Sequence, residues 1–280
     1  RRRTRWPSIA PRKAWGDRVA VRLIADVHSS VQGINEMVDP GDTLLVLGDV
    51  LGLIDWADFS GILPEVLGEE NLRSMLFRAF AAGAEAARRM KEELLSPEGE
   101  FYELLRKRVL EDYREFRRAV EESGCRALVI YGNSDLPEVM EEVFEGSPTL
   151  RLVEGVVEVE GQAFGFLPGS LKSPFEMPAE TEDDFFAERL EAMGEVEVLC
   201  AHVPPDLEAA TFDVVAGRHQ RGSAALLRYI QQREPAFVYH GHVHQPAQRS
   251  LELGSTRVVN VAYFKRGRYV HLHEPSSGRA

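Results

Sequence analysis

Two cysteines in 280 residues, Cys125 and Cys200, are too few for disulfides to organise the fold, and a reducing compartment is compatible with that usage. No run of about 18 apolar residues occurs, so no membrane-spanning helix is expected. Internal repeats and low-complexity tracts are also lacking. There is no excess of positive charge. At a net charge of −12 the chain would be repelled by a phosphate backbone, so duplex nucleic acid is not an expected partner. A glycine-rich nucleotide loop is missing as well: Gly165-Phe166-Leu167-Pro168-Gly169 lacks the lysine and the helix start that such a loop needs.

The acidity is uneven. Residues 176–197 carry acidic charge relieved only by Arg189, whereas Arg1, Arg2, Arg3, Arg5, Arg12 and Lys13 crowd the amino-terminal end. Both runs read as solvated surface. Residues 1–17 are expected to be a flexible basic arm, and 18–275 a single domain. No apolar segment follows the basic residues, so no secretory signal is read and the cytoplasm is the expected compartment.

Strand-type runs occur at 19–25, 43–47, 127–131, 150–154, 156–160, 162–167, 196–201, 236–240, 257–261 and 269–273. The run 43–47 is apolar throughout, the mark of a strand covered on both faces. Short helices are expected at 31–38 and 223–232. From 51 to 122 the pattern is helical, with Leu72, Leu76, Phe77 and Phe80 in one stripe and Leu104, Leu105, Val109 and Tyr113 in another. One crossover helix needs only about twenty residues. The surplus, about 54–97, is expected to be a helical insertion: a cap over a site, a homodimer surface, or extra packing.

Chemistry-bearing residues fall at the ends of these strands. Asp26-Val27-His28 closes the first run and Gly48-Asp49 the second. Gly132-Asn133-Ser134-Asp135 follows 127–131, His202 follows 196–201, and Gly241-His242-Val243-His244 follows 236–240. Singly, Asp-x-His or Gly-Asp means little. Together they would deliver oxygen and nitrogen donors to one sheet edge, as a metal site requires. Their spread from Asp26 to His244 favours one domain, because separate domains could not easily pool them.

In these motifs and their order, from about residue 19 to 261, the chain resembles the calcineurin-like metallophosphoesterase superfamily. The resemblance implies an α/β fold, a four-layer αββα sandwich, here with the helical insertion. It implies one metal held by Asp26, His28, Asp49 and His244, and a second held by Asp49, Asn133, His202 and His242. Asp49 bridges, since a carboxylate can link two cations that clamp an in-line displacement at phosphorus. Two divalent transition metal ions are the expected cofactors. Mixed O/N ligation favours Mn2+, with Fe, Zn, Co or Ni as alternatives. Asp49, Asn133 and His202 would then be catalytic through a hydroxide bridging the two metals.

The family pattern has a histidine after the metal-binding asparagine, and here that place is Ser134. A hydroxyl is a poor general acid at neutral pH, so hydrolysis of a phosphodiester is favoured over a phosphomonoester in a small-molecule substrate. Alternatives are a pyrophosphatase acting on a nucleotide- or lipid-linked substrate, which an apolar cleft under 72–80 would favour, and a non-catalytic scaffold of the same fold. His219 is a candidate replacement acid, and with Arg218 and Arg221 a candidate phosphate contact. Asp135 and Asn260 are expected to be structural, His240 to be buried beside the site, and His271 and His273 to share one face at a sheet edge.

Overall fold

The structure, a computed structural model of the chain, describes residues 19–274, so the basic arm expected at 1–17 lies outside it. Val21–Ile24 (β1), Thr43–Leu47 (β2), Arg126–Ile130 (β3) and Leu150–Leu152 (β4) run parallel in one sheet in that order. Gly155–Val159 (β5), Gln162–Leu167 (β6), Val198–Ala201 (β7), Phe237–His240 (β8), Ser250–Leu253 (β9) and Thr256–Asn260 (β10) form a second sheet, ordered β9-β10-β8-β7-β6-β5. Its middle strands β10, β8, β7 and β6 are mutually parallel. His271–Leu272 (β11) returns to pair antiparallel with β1 at the edge of the first sheet.

Strand alternation explains why these runs are apolar on both sides. Leu45, Leu47, Leu128 and Ile130 face Phe164, Phe166, Val198 and Tyr239 between the sheets. Leu44, Val46, Ala127 and Val129 point the other way, toward helices. The helices longer than four residues are, in chain order, Ile62–Leu67 (α1), Glu69–Ala82 (α2), Ala84–Leu95 (α3), Tyr102–Ser123 (α4), Pro137–Phe144 (α5), Asp183–Met193 (α6) and Ala224–Arg233 (α7). Val109, Tyr113 and Phe116 of α4 cover the first sheet, and Phe186 of α6 with Leu226 and Ile230 of α7 cover the second. The result is the expected αββα sandwich. Among the described residues no helix is long and apolar enough to cross a membrane.

Two expectations are corrected. The acidic run 176–197 is not merely solvated surface: it holds α6, whose Phe186 and Leu190 are buried in the core. Its carboxylates also work locally, since Asp183 accepts from Ser223 Oγ at 2.5 Å and from Ala225 N at 2.9 Å. In α2 the stripe splits. Leu72 and Leu76 are buried, but Phe77 and Phe80 are 76% and 52% exposed.

Candidate metal centre

Every motif lies just beyond the carboxyl end of a parallel strand, the edge where open α/β sheets place their sites. The turns there are tight. Asp26 (φ 56°), His28 (φ 43°), Asp49 (φ 52°) and His242 (φ 65°) all sit in the left-handed region, unusual for residues with a Cβ. Backbone bonds hold them: Asp26 N donates to Gly48 O at 3.1 Å, and His28 N to Asp49 O at 2.9 Å. His242 N in turn donates to Asp26 Oδ2 at 3.0 Å, tying the second sheet to the first. Close approach requires glycine at two positions. A Cβ on Gly48 would stand 2.6 Å from His202 Nδ1, and one on Gly132 would collide with His202 Cε1 and Asp49 Oδ1.

The imidazole orientations follow from backbone carbonyls, which can only accept. His202 Nδ1 donates to Leu47 O at 2.8 Å, so its Nε2 carries a lone pair. That lone pair faces Asn133 Oδ1 at 3.1 Å and Asp49 Oδ1 at 3.5 Å. His28 Nδ1 donates to Leu51 O at 3.2 Å, which leaves His28 Nε2 bare, 3.1 Å from His244 Nε2 and 3.6 Å from Asp49 Oδ2. His244 Nε2 lies 3.7 Å from Asp26 Oδ1, and the His242 ring stands edge-on to His202 with centroids 5.1 Å apart. Acceptors converging on acceptors repel one another unless a cation lies between them. The donor set therefore fits a metal. Among the described residues, two groupings bring ligand atoms within 4.8 Å of one another: Asp26, His28 and His244, and Asp26, Asp49 and His202.

The electrostatics agree with that fit. Burial pushes the Asp49 carboxyl up to about 7, and burial with the neighbouring Asp49 charge raises Asp26 well above the usual range. Burial lowers His202 and His244 to about 4, and burial with the neighbouring imidazoles holds His28 and His242 well below the ordinary imidazole value. Neutral imidazoles are the form that binds metal, and a divalent cation would return the carboxylates to their ionised state.

A model of the calcineurin-like phosphoesterase family matches residues 20–246. The chain belongs to this family. Its chemistry is hydrolysis of phosphate esters, and its members typically bind two divalent metals. The crystal structure of TT1561 of Thermus thermophilus is similar in fold at a TM-score of 0.51 and 13% identity, over 91% of this chain and 98% of that one. A second crystal structure aligns at a TM-score of 0.57 and 17% identity, with the same coverage of both chains. No curated protein matches by sequence.

Within this phosphoesterase, Ser134 is committed to Asp49. Its amide donates to Asp49 Oδ1 at 2.8 Å and its hydroxyl to Oδ2 at 3.1 Å. Asp135 is wholly buried and accepts from the amides of Gly132 (2.8 Å), Leu51 (3.0 Å) and Val50 (3.4 Å) and from Tyr113 Oη (3.2 Å). It thus clamps the Asp49 and Asn133 loops together. Asn260 does the same for the 241–243 turn, donating to Gly241 O and Val243 O. His240 is buried behind the cluster and bonds to Gly241 O. His271 and His273 both pack on Tyr239, away from the site.

His219 is not brought to the cluster. It is exposed on a short ribbon, Phe212–Asp213 with Arg218–His219, and its Nδ1 lies 3.0 Å from Thr211 Oγ1. Its neighbours Arg218 and Arg221 do line the cavity that opens on His28, Asp49, Asn133, His242 and His244. Sequence reasoning missed Tyr263 and Asp55, which line the same cavity. Tyr263 could have been found from its place: an aromatic three residues past β10, at the edge where every motif lies.

Proposed function

We propose that this chain hydrolyses phosphodiesters at a pair of divalent cations, one held by Asp26, His28, Asp49 and His244 and the other by Asp49, Asn133, His202 and His242. The carrying observation is the cluster of bare lone pairs at the edge shared by the two sheets. Cations bound there would activate water near neutral pH and offset charge on the phosphoryl oxygens. Mixed carboxylate, carboxamide and imidazole donors suit Mn2+, Fe, Zn, Co or Ni, and Mn2+ is the metal proposed.

The chain's own residues orient that chemistry. Leu47 O and Leu51 O fix the tautomers of His202 and His28, and Ser134 holds both oxygens of Asp49. A hydroxyl engaged in this way gives little help to a poor leaving group, which supports diesters with good leaving groups as substrates. The test is hydrolysis of bis(p-nitrophenyl) phosphate by metal-stripped protein, with Mn2+ restored and Asp49→Ala alongside. Turnover should return with metal and vanish in the variant. Bound metal with no turnover under Mn2+, Ni2+, Co2+ or Zn2+ would sink the reading.

A second reading is cleavage of a pyrophosphate in a nucleotide- or lipid-linked substrate. The apolar cavity bounded by Leu76 and Phe80 of α2 favours it. Identifying the phosphorylated products from mixed diester and pyrophosphate substrates separates the two. A non-catalytic scaffold would have little need of a complete ligand set.

A further inference from the structure

The cavity over the metal ligands measures about 850 Å3, near the top of the roughly 300–1,000 Å3 range of ligand pockets. Its two parts differ in chemistry. His28, Asp49, Asn133 and His244 bound it on one side, with Arg218 and Arg221 adding positive charge. Charged groups such as Lys91, Glu138 and Glu180 also border it, but one stretch of its wall is hydrocarbon from three successive helices: Leu76 of α2, Met90 and Leu94 of α3, Leu105 and Val109 of α4. These side chains are shielded from bulk solvent yet leave a space that none of them fills.

Protein interiors are close-packed, and an unfilled apolar void forfeits dispersion contacts with nothing in return. A nucleoside base laid against this wall would lose hydrogen bonds to water without replacing them. Arg106 borders the cavity but is ion-paired with Glu142 at 2.7 Å. Two of the aromatic rings that line the cavity are open to solvent. Trp56 is 58% exposed and Phe80 52%, with centroids 6.3 Å apart, and Phe80 stands edge-on to Phe175 at 5.5 Å. Apolar area both exposed and contiguous with a cavity marks a surface that receives apolar ligand.

We propose that the site takes an amphiphilic phosphoester, with its phosphate over the metal ligands and a long alkyl chain laid between α2, α3 and α4. The proposal rests on the phosphoesterase reading and narrows its substrate class. The arginine side would face the polar part of the molecule, and the aromatic rings would receive the chain.

The experiment is a ladder of alkyl p-nitrophenyl phosphodiesters, from ethyl to hexadecyl, kept below micelle formation with Mn2+-loaded protein. In parallel, calorimetry follows binding of the matching alkylphosphonates. Specificity, kcat/KM, should rise up to about fourfold per methylene until the cavity is filled and then level off. The binding heat-capacity change should grow more negative along the same ladder. Val109→Phe and Leu94→Phe should bring the plateau to shorter chains, with thermal melting to confirm that each variant folds. A flat ladder with bis(p-nitrophenyl) phosphate still hydrolysed would overturn the chain assignment and leave the phosphoesterase reading standing. Length-dependent phosphonate binding without hydrolysis of any ester would do the reverse.

Discussion

The imidazole of His244 lies flat on the phenol ring of Tyr263, with centroids 4.0 Å apart and planes 10° from parallel. Tyr263 is itself held from behind: its hydroxyl donates to Asp55 Oδ2 at 2.8 Å, and Lys265 Nζ reaches the same oxygen at 2.8 Å. Burial alone would raise the Asp55 carboxyl. Hydrogen bonds from Lys265, Ala57 and Tyr263 outweigh it and hold the group below the usual carboxylate range. The candidate metal ligand His244 is thus oriented through one aromatic face by a charged anchor.

Removing that face should loosen His244. Tyr263→Ala is expected to weaken divalent-metal binding by about 10- to 100-fold, the usual effect of losing an orienting neighbour. Tyr263→Phe keeps the stack and should cost much less. Calorimetric Mn2+ titration of the three proteins checks this, and equal affinities would show that other contacts orient His244.

Asp135 carries stability. Asp135→Ala would strand three buried amides and the Tyr113 hydroxyl, a loss of about 3 kcal/mol or more. Asp135→Asn retains one acceptor oxygen and should lose less. Urea unfolding of the metal-free proteins measures the difference, and a change under about 1 kcal/mol in the alanine variant would contradict the clamp.

Metal affinity should depend on pH through carboxylates, not imidazoles. Burial keeps a proton on Asp49 up to about pH 7 in the metal-free protein, whereas His202 and His244 are already neutral above about 4. Below pH 7 a cation must displace the Asp49 proton, so affinity falls as pH falls; above it the Asp49 share of that penalty disappears. Titrations in buffers of different ionisation enthalpy should show protons released at pH 6 and fewer at pH 8. Proton release that stays constant across that range would rule out Asp49 as the titrating group.

Gly132→Ala is expected to abolish metal binding and to destabilise the fold, because the added Cβ would also stand 2.7 Å from the backbone nitrogen of Asp49. The added methyl would occupy the space of Asp49 Oδ1 and His202 Cε1. Far-ultraviolet circular dichroism beside a Mn2+ titration tests both halves of that expectation. Normal affinity would mean the two loops separate easily.

The double-sided strands were legible because β2 and β3 are apolar at nearly every position, whereas the four-layer arrangement came from the family resemblance and not from that pattern. The strand-end motifs were legible because each is a short polar interruption straight after an apolar run. Helix α6 was obscured by its acidic outer face, which hides Phe186 and Leu190 in composition. The exposure of Phe77 and Phe80 was hidden for the opposite reason: apolar spacing marks them as core, and only the cavity beside Phe80 gives its position a meaning. Ser134 was visible as a departure from the family pattern, but its bond to Asp49 depends on a turn geometry that no spacing encodes.

The ligand cluster is assembled from distant parts of the chain. Asp26, His28, Asp49 and Asn133 extend from the first sheet, and His202, His242 and His244 from the second. The amide of His242 meets the Asp26 carboxylate across 216 residues of sequence. During synthesis the early half emerges with only one imidazole among its donors, too few to hold a transition metal firmly. Metal held by this cluster would therefore load late, only once the two sheets have docked, and would discriminate completed molecules from truncated ones.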